Sequence, residues 1–210
     1  MAKISFKPGN MLYPLPVVMV SVADSQGNSD IITVAWAGTI CTNPPMVSIS
    51  VRPERFSHHM LMETGEFVIN LTTKELVYAT DYCGVKSGRD VDKWKEMKLT
   101  PIMGKVVKVP CIEESPVNIE CRVVKVEKLG SHDMFTAEVV AVSVDDAYMD
   151  EKNSFHLSMA EPIVYSHGEY YLLGEKLGRF GYSIQKKKQS QKNAIAYKKT
   201  KKLYKKAKNT

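Results

Sequence analysis

Residues 30–40 and 46–51 are two runs rich in strand-forming side chains, and Asn43-Pro44-Pro45 separates them. Proline cannot donate to a β-ladder, so residues 30–40 and 46–51 are expected to be separate strands joined by a break. The second strand opens into Arg52-Pro53-Glu54-Arg55-Phe56-Ser57, and a short helix is expected over about residues 58–63, closed by Gly65. Ser57 stands where a helix N-cap belongs. Two guanidinium groups beside a helix N-terminus make an anion site. Free N–H groups, the helix dipole and fixed positive charge all favour a phosphate at one point. The ordinary alternative for such a stretch is a solvated charged loop.

The rest of the chain is also rich in strands. Residues 17–23 form a β-branched apolar run, and Ser25-Gln26-Gly27-Asn28 turns it into the strand at 30–40, a hairpin signal. A further strand is expected at 66–71. Thr72 stands three residues before Glu75, a capping-box pattern, so a helix is expected from there to about residue 82. Residues 86–89 read as an exposed polar loop and 90–97 as a short helix. Two long strands, 117–129 and 134–144, flank Gly130-Ser131-His132, and a last hairpin at 162–166 and 170–173 turns on His167-Gly168. A mainly β fold with inserted helices follows, and many short strands suggest a closed or partly closed barrel. Propensity does not separate a barrel from a sandwich.

Charge is unevenly placed. The 210 residues hold 29 Lys and Arg against 23 Asp and Glu, a net charge of +6. Eleven of those bases are lysines within 186–210, where there are no acids, so residues 1–185 carry 18 bases against 23 acids, a net of −5. A nucleic-acid reading based on total charge is a reading of the tail alone. The tail is a solvated segment or a contact for an acidic partner, nucleic acid or an anionic membrane. The chain thus divides into a domain over 1–185 and a lysine-rich tail over 186–210.

Other classes find no support. No run approaches the ~18 apolar residues of a membrane span, and the N-terminus has no apolar core of a secretory signal. Cys41, Cys83, Cys111 and Cys121 contain no C-x-x-C pair, so reduced thiols in a cytoplasmic protein are expected rather than a zinc site or a disulfide framework. No Ser/His/Asp or paired-carboxylate arrangement suggests a hydrolase. No G-x-G-x-x-G follows a strand. His58 and His59 read as helix-surface residues, and His132, on a tight connection between two long strands, is the best placed histidine.

Three segments carry a resemblance. They are Thr33-Val34-Ala35-Trp36-Ala37-Gly38-Thr39, the stretch from Asn43-Pro44-Pro45 through Arg52-Pro53-Glu54-Arg55, and Asp81-Tyr82-Cys83-Gly84-Val85-Lys86-Ser87-Gly88-Arg89-Asp90-Val91-Asp92-Lys93. Together, and in this order, they resemble the flavoredoxin branch of the flavin-reductase-like proteins over roughly residues 14–185. That resemblance implies an FMN-binding split β-barrel and a homodimer with FMN near the subunit interface. It implies cofactor contacts at Thr33, Val34, Ala35 and Trp36, then at Ser50, Val51, Arg52, Arg55, Phe56 and Ser57, and then at Cys83, Gly84, Lys86 and Lys93. By the same resemblance, the Lys93 ammonium reaches the flavin and balances the charge of its reduced form, and His132 lies on the nicotinamide or substrate side. From the residues alone, 33–36 is an ordinary buried strand, 83–93 a surface loop and Cys83 a buried structural thiol. The implied function is an oxidoreductase passing electrons from NADH, NADPH or a protein donor through FMN to a flavin, a ferric chelate or a redox protein. The alternative is an FMN-binding electron carrier with little turnover of its own.

Overall fold

A computed structural model describes residues 2–184. In chain order the elements are β1 (Leu15–Pro16), β2 (Val18–Ala23), β3 (Ser29–Val34), β4 (Ala37–Cys41), β5 (Met46–Val51), α1 (Phe56–Thr64), β6 (Glu66–Leu71), α2 (Val77–Val85), α3 (Lys93–Glu96), β7 (Pro101–Met103), β8 (Pro110–Ile112), β9 (Val117–Lys128), β10 (Asp133–Val144), β11 (Ile163–Ser166) and β12 (Glu169–Leu172). Short 3-10 turns occur at Asp146–Tyr148 and Leu157–Ala160. Residues 1–173 form one compact unit. A second unit starts at Gly174 and has one 3-10 turn, Tyr182–Ile184, among its described residues. The lysine-rich tail at 186–210 lies outside the described residues. Among those described, no helix is long and apolar enough to cross a membrane.

Seven strands form one antiparallel sheet in the order β3-β2-β6-β9-β10-β5-β4. Its two edge strands, β3 and β4, are consecutive in sequence, and only Ala35 and Trp36 separate them. Two residues cannot span a flat seven-stranded sheet. The sheet therefore curls until its edges meet, which makes a barrel. A hydrogen bond from the Ser50 N–H to the Trp36 carbonyl, 2.8 Å, ties the crossing to β5. This overturns the expectation of one unbroken strand over 30–40. The strand-forming residues are there, but the chain leaves one edge at Val34 and enters the other at Ala37.

Alternation decides what lies inside. On β5 the burial pattern alternates, and Val47, Ile49 and Val51 point into the core with Val18, Val20 and Val22 of β2 and Phe67 and Ile69 of β6. Phe135 and Ala137 of β10 complete this core, and α1 adds Met60 and Leu61. The other face of β2 and β3 presents Met19 and Ile31, which α2 covers with Ala79 and Cys83. So β2 is buried on both faces and reads as an apolar run broken only at Ser21, whose hydroxyl donates to the Pro110 carbonyl at 2.6 Å. A smaller sheet, β1-β11-β12, forms separately, and β7 pairs with β8.

Helix starts depart from the sequence reading. Helix α1 begins at Phe56 with Arg55 at the N-cap, and Ser57 lies inside the first turn. Gly65 closes the helix in the left-handed conformation, its N–H donating to the Leu61 carbonyl at 3.0 Å. The capping box at Thr72 and Glu75 does not form. The Thr72 hydroxyl donates instead to the Val17 carbonyl at 2.5 Å, and α2 begins only at Val77. The helix expected over 90–97 is the single turn α3, started by Asp92, whose carboxylate accepts the Lys95 N–H at 3.2 Å.

Candidate functional site

Two adjoining cavities flank β3, and the second of them opens where β3 crosses to β4. The first, of about 290 Å³, has Asp30, Ser57, Cys83 and Lys93 on its inner wall and Arg52, Glu54, Arg55, Lys86 and Arg89 at its outer rim. Five cationic side chains face two carboxylates, an excess of three positive charges. The start of α1 is part of the same lining through Arg55, Phe56 and Ser57. Its first N–H groups add to that field.

The inner wall is a closed network. The Lys93 ammonium sits 3.1 Å from Asp30 Oδ1 and donates to the Ile31 carbonyl. The Ser57 hydroxyl donates to Asp30 Oδ2 at 2.6 Å. All three side chains are buried. This explains why Ser57 does not cap its helix. It also pairs the Lys93 charge with that of Asp30. Burial pushes the Cys83 thiol up to about 12, with Lys93 opposing, so the sulfur stays protonated and carries no nucleophile. At the rim, Arg52 pairs with Glu54 at 2.9 Å, both well exposed.

The second cavity, of about 360 Å³, shares Ile32, Arg52 and Arg55 with the first. Thr33, Val34, Ala35 and Trp36 line one side of it with Ser50 and Val51. Val34 ends the ladder to β2 and Ala37 begins the ladder to β5, so Ala35 and Trp36 stand between two ladders. The Thr33 hydroxyl is used against α2, donating to the Thr80 carbonyl at 2.5 Å. Gly84 lets the helix approach here, since a Cβ on it would lie 3.2 Å from that of Thr33. His132 lies parallel to Trp36 with ring centres 6.1 Å apart. Burial, then the Arg52 charge, holds the His132 imidazole below the usual histidine range, with Glu54 opposing, so the ring is neutral at pH 7.

Every cofactor contact that the resemblance implies, and His132, lines one cavity or both. The sequence reading did not name the opposite wall. Tyr165 and Tyr170 come from the β11-β12 hairpin, their rings 5.9 Å apart. The Tyr170 hydroxyl donates to Asp81 at 3.0 Å, and burial with that bond pushes the phenol up to about 12. Nothing local marks these tyrosines, because the hairpin meets α2 89 residues away in sequence. Asp30, Gly88 and Arg89 were also missed as a group, although Gly88 and Arg89 fall within the segment that carries the resemblance. His58 is not a surface residue. Its Nε2 lies 2.9 Å from the buried Asp133, and its ring packs edge-on against Phe135.

Comparison with known proteins gives a consistent result. The family described as flavin reductase like domain matches residues 10–174. An uncharacterized protein of Archaeoglobus fulgidus is 33% identical over 141 residues, covering 67% of this chain and 78% of its own. Among solved structures, the flavoredoxin of Desulfovibrio vulgaris superposes with a TM-score of 0.81 at 28% identity, over 88% of this chain and all of that one. A flavoredoxin from Methanosarcina acetivorans gives 0.79 at 25% identity with the same coverage. Neighbours at lower identity, such as a protein with a split barrel domain from Shewanella frigidimarina at 23%, share the fold.

Proposed function

The chain belongs to the flavin reductase-like family, and from that premise we propose that it is an FMN-dependent oxidoreductase acting as a homodimer. A flavin-linked redox role follows from the family; the choice of FMN, the donor and the acceptor are our reading. The observation that carries it is the pair of joined cavities, one cationic and one walled by rings, sharing Arg52 and Arg55. An anionic tail on a planar head matches that division of chemistry.

The residues fit such a cofactor. Arg55, Lys86 and Arg89 supply charge that the two acids do not balance, and the N–H groups at the start of α1 add donors, which suits a phosphate monoester. Ala35 and Trp36 offer backbone between two ladders to the edge of a ring, and Ser50 holds the Trp36 carbonyl in place. Bound FMN supplies a centre that accepts a hydride and releases electrons singly or in pairs. Neutral His132 lines the ring-walled cavity beside Trp36, on the side assigned here to nicotinamide or substrate. Because Asp30 offsets Lys93, any charge balance for a reduced cofactor comes from the rim cations and not from Lys93 alone. Exposed Val124 and Val142 on β9 and β10 leave apolar surface for the second subunit.

The test is the visible spectrum of the purified protein, without oxygen, before and after NADH or NADPH. The expected result is a yellow protein that bleaches with one of them. Bleaching with dithionite alone identifies a carrier fed by a protein donor. A colourless protein that also fails to bind added FMN removes the cofactor and the site with it.

A further inference from the structure

The outer rim of the cationic cavity is bridged. Arg89 belongs to the loop between α2 and α3, and its Nη1 donates to the Glu54 carbonyl at 3.3 Å, on the turn between β5 and α1. Its guanidinium lies 5.8 Å from the centre of the Phe56 ring, a cation–π contact. The loop that presents Arg89 is pressed against the inner wall. A Cβ on Gly88 would lie 2.5 Å from Asp30 Oδ1 and 2.6 Å from the Phe56 ring, so only glycine fits there. The loop is also tied to itself, since the Ser87 carbonyl accepts the N–H groups of Asp90 and Val91 at 3.1 and 3.2 Å. Arg89 is thus an exposed side chain on a fixed base, reaching from one lip of the cavity to the other.

On the FMN reading above, we infer that Arg89 selects a flavin mononucleotide over a flavin dinucleotide by strapping the outlet of the phosphate cavity. A mononucleotide ends in a phosphate monoester, which finishes inside the cavity. In a dinucleotide that phosphate is esterified onward, and the adenylate half must continue beyond it. The inner direction is closed by Asp30, Ser57, Cys83 and Lys93, all buried. The continuation therefore leads across the rim, where the Arg89 bridge lies. A terminal monoester also carries more charge than an internal diester, and this favours the mononucleotide beneath the unbalanced cations.

The experiment titrates the full chain and its Arg89→Ala and Arg89→Lys variants with FMN and with FAD, following quenching of flavin fluorescence. The wild type is expected to prefer FMN. Arg89→Ala should narrow that preference by about tenfold, through looser FMN and tighter FAD. Arg89→Lys, which keeps the charge and loses the planar fork, should fall between. Equal weakening of both flavins, or no change in either, overturns the inference and makes Arg89 a plain phosphate contact or a bystander. A wild type that binds neither flavin sinks the FMN reading itself. Arg89 is exposed, so an unchanged melting temperature is expected and separates selectivity from damage to the fold.

Discussion

The inner wall and the outer rim of the cationic cavity use the same residue types for different ends. On the inner wall Asp30 and Lys93 are each 3% exposed, and Ser57 adds a further bond to the carboxylate. On the rim Arg52 and Glu54 are 49% and 62% exposed. Separation barely distinguishes the pairs, at 3.1 and 2.9 Å; burial does. A buried pair holds elements together, because neither charge has water to fall back on. An exposed pair contributes little to stability and can exchange partners when an anion arrives. Lys93 therefore fixes α3 to β3, while Arg52, Arg55 and Arg89 stay exposed at the rim.

Breaking the inner pair should give the largest effect. Asp30→Asn leaves a buried ammonium without its counter-charge and should cost about 3–5 kcal/mol in denaturant unfolding. Lys93→Met should act similarly, and the double variant should cost less than the two together. Strict additivity would show that the two groups do not depend on each other. On the rim, Arg52→Ala should loosen FMN by about tenfold, the worth of one charge-assisted hydrogen bond, and should move stability by no more than about 0.5 kcal/mol. A variant that keeps its full flavin content through dialysis would take Arg52 out of the site.

The smallest effect tests how far the rim charge reaches. His132 should titrate below 6.5, first because it is partly buried and then because Arg52 is near. The folded chain resists a proton that the unfolded chain accepts near 6.5, so this contribution to stability is present above that pH and is lost as pH falls below it. Proton NMR of the imidazole reads the midpoint directly, and Arg52→Ala should raise it part of the way. A midpoint at or above 6.5 in the wild type contradicts both causes.

Much of this architecture was readable in the sequence where local signals and tertiary structure agree. Met46–Val51 and Glu66–Leu71 have the bounds expected of them, because strand propensity and flanking breaks coincide. Thr72 had a capping partner in sequence but a better acceptor in the Val17 carbonyl, 55 residues back. His58 looked like a helix-surface residue because its partner, Asp133, is 75 residues ahead. Lys93 looked like a loop cation because Asp30 is 63 residues behind. The motif residues were legible as a set, but which of the charges were buried was not. Burial depends on how the sheet closes, and that closure is set by strand pairings far apart in the chain.

The two-residue crossing at Ala35 and Trp36 also limits how such a chain can diversify. A surface loop accepts insertions at small cost, since closure entropy grows slowly with length. A single residue inserted here would have to be taken up as a bulge or by moving a strand on one side of the crossing by one position, which would turn its core-facing side chains outward. Length is therefore constrained at this crossing. The other walls of the neighbouring cavity come instead from distant parts of the chain, His132 from the turn before β10 and Tyr165 and Tyr170 from β11 and β12.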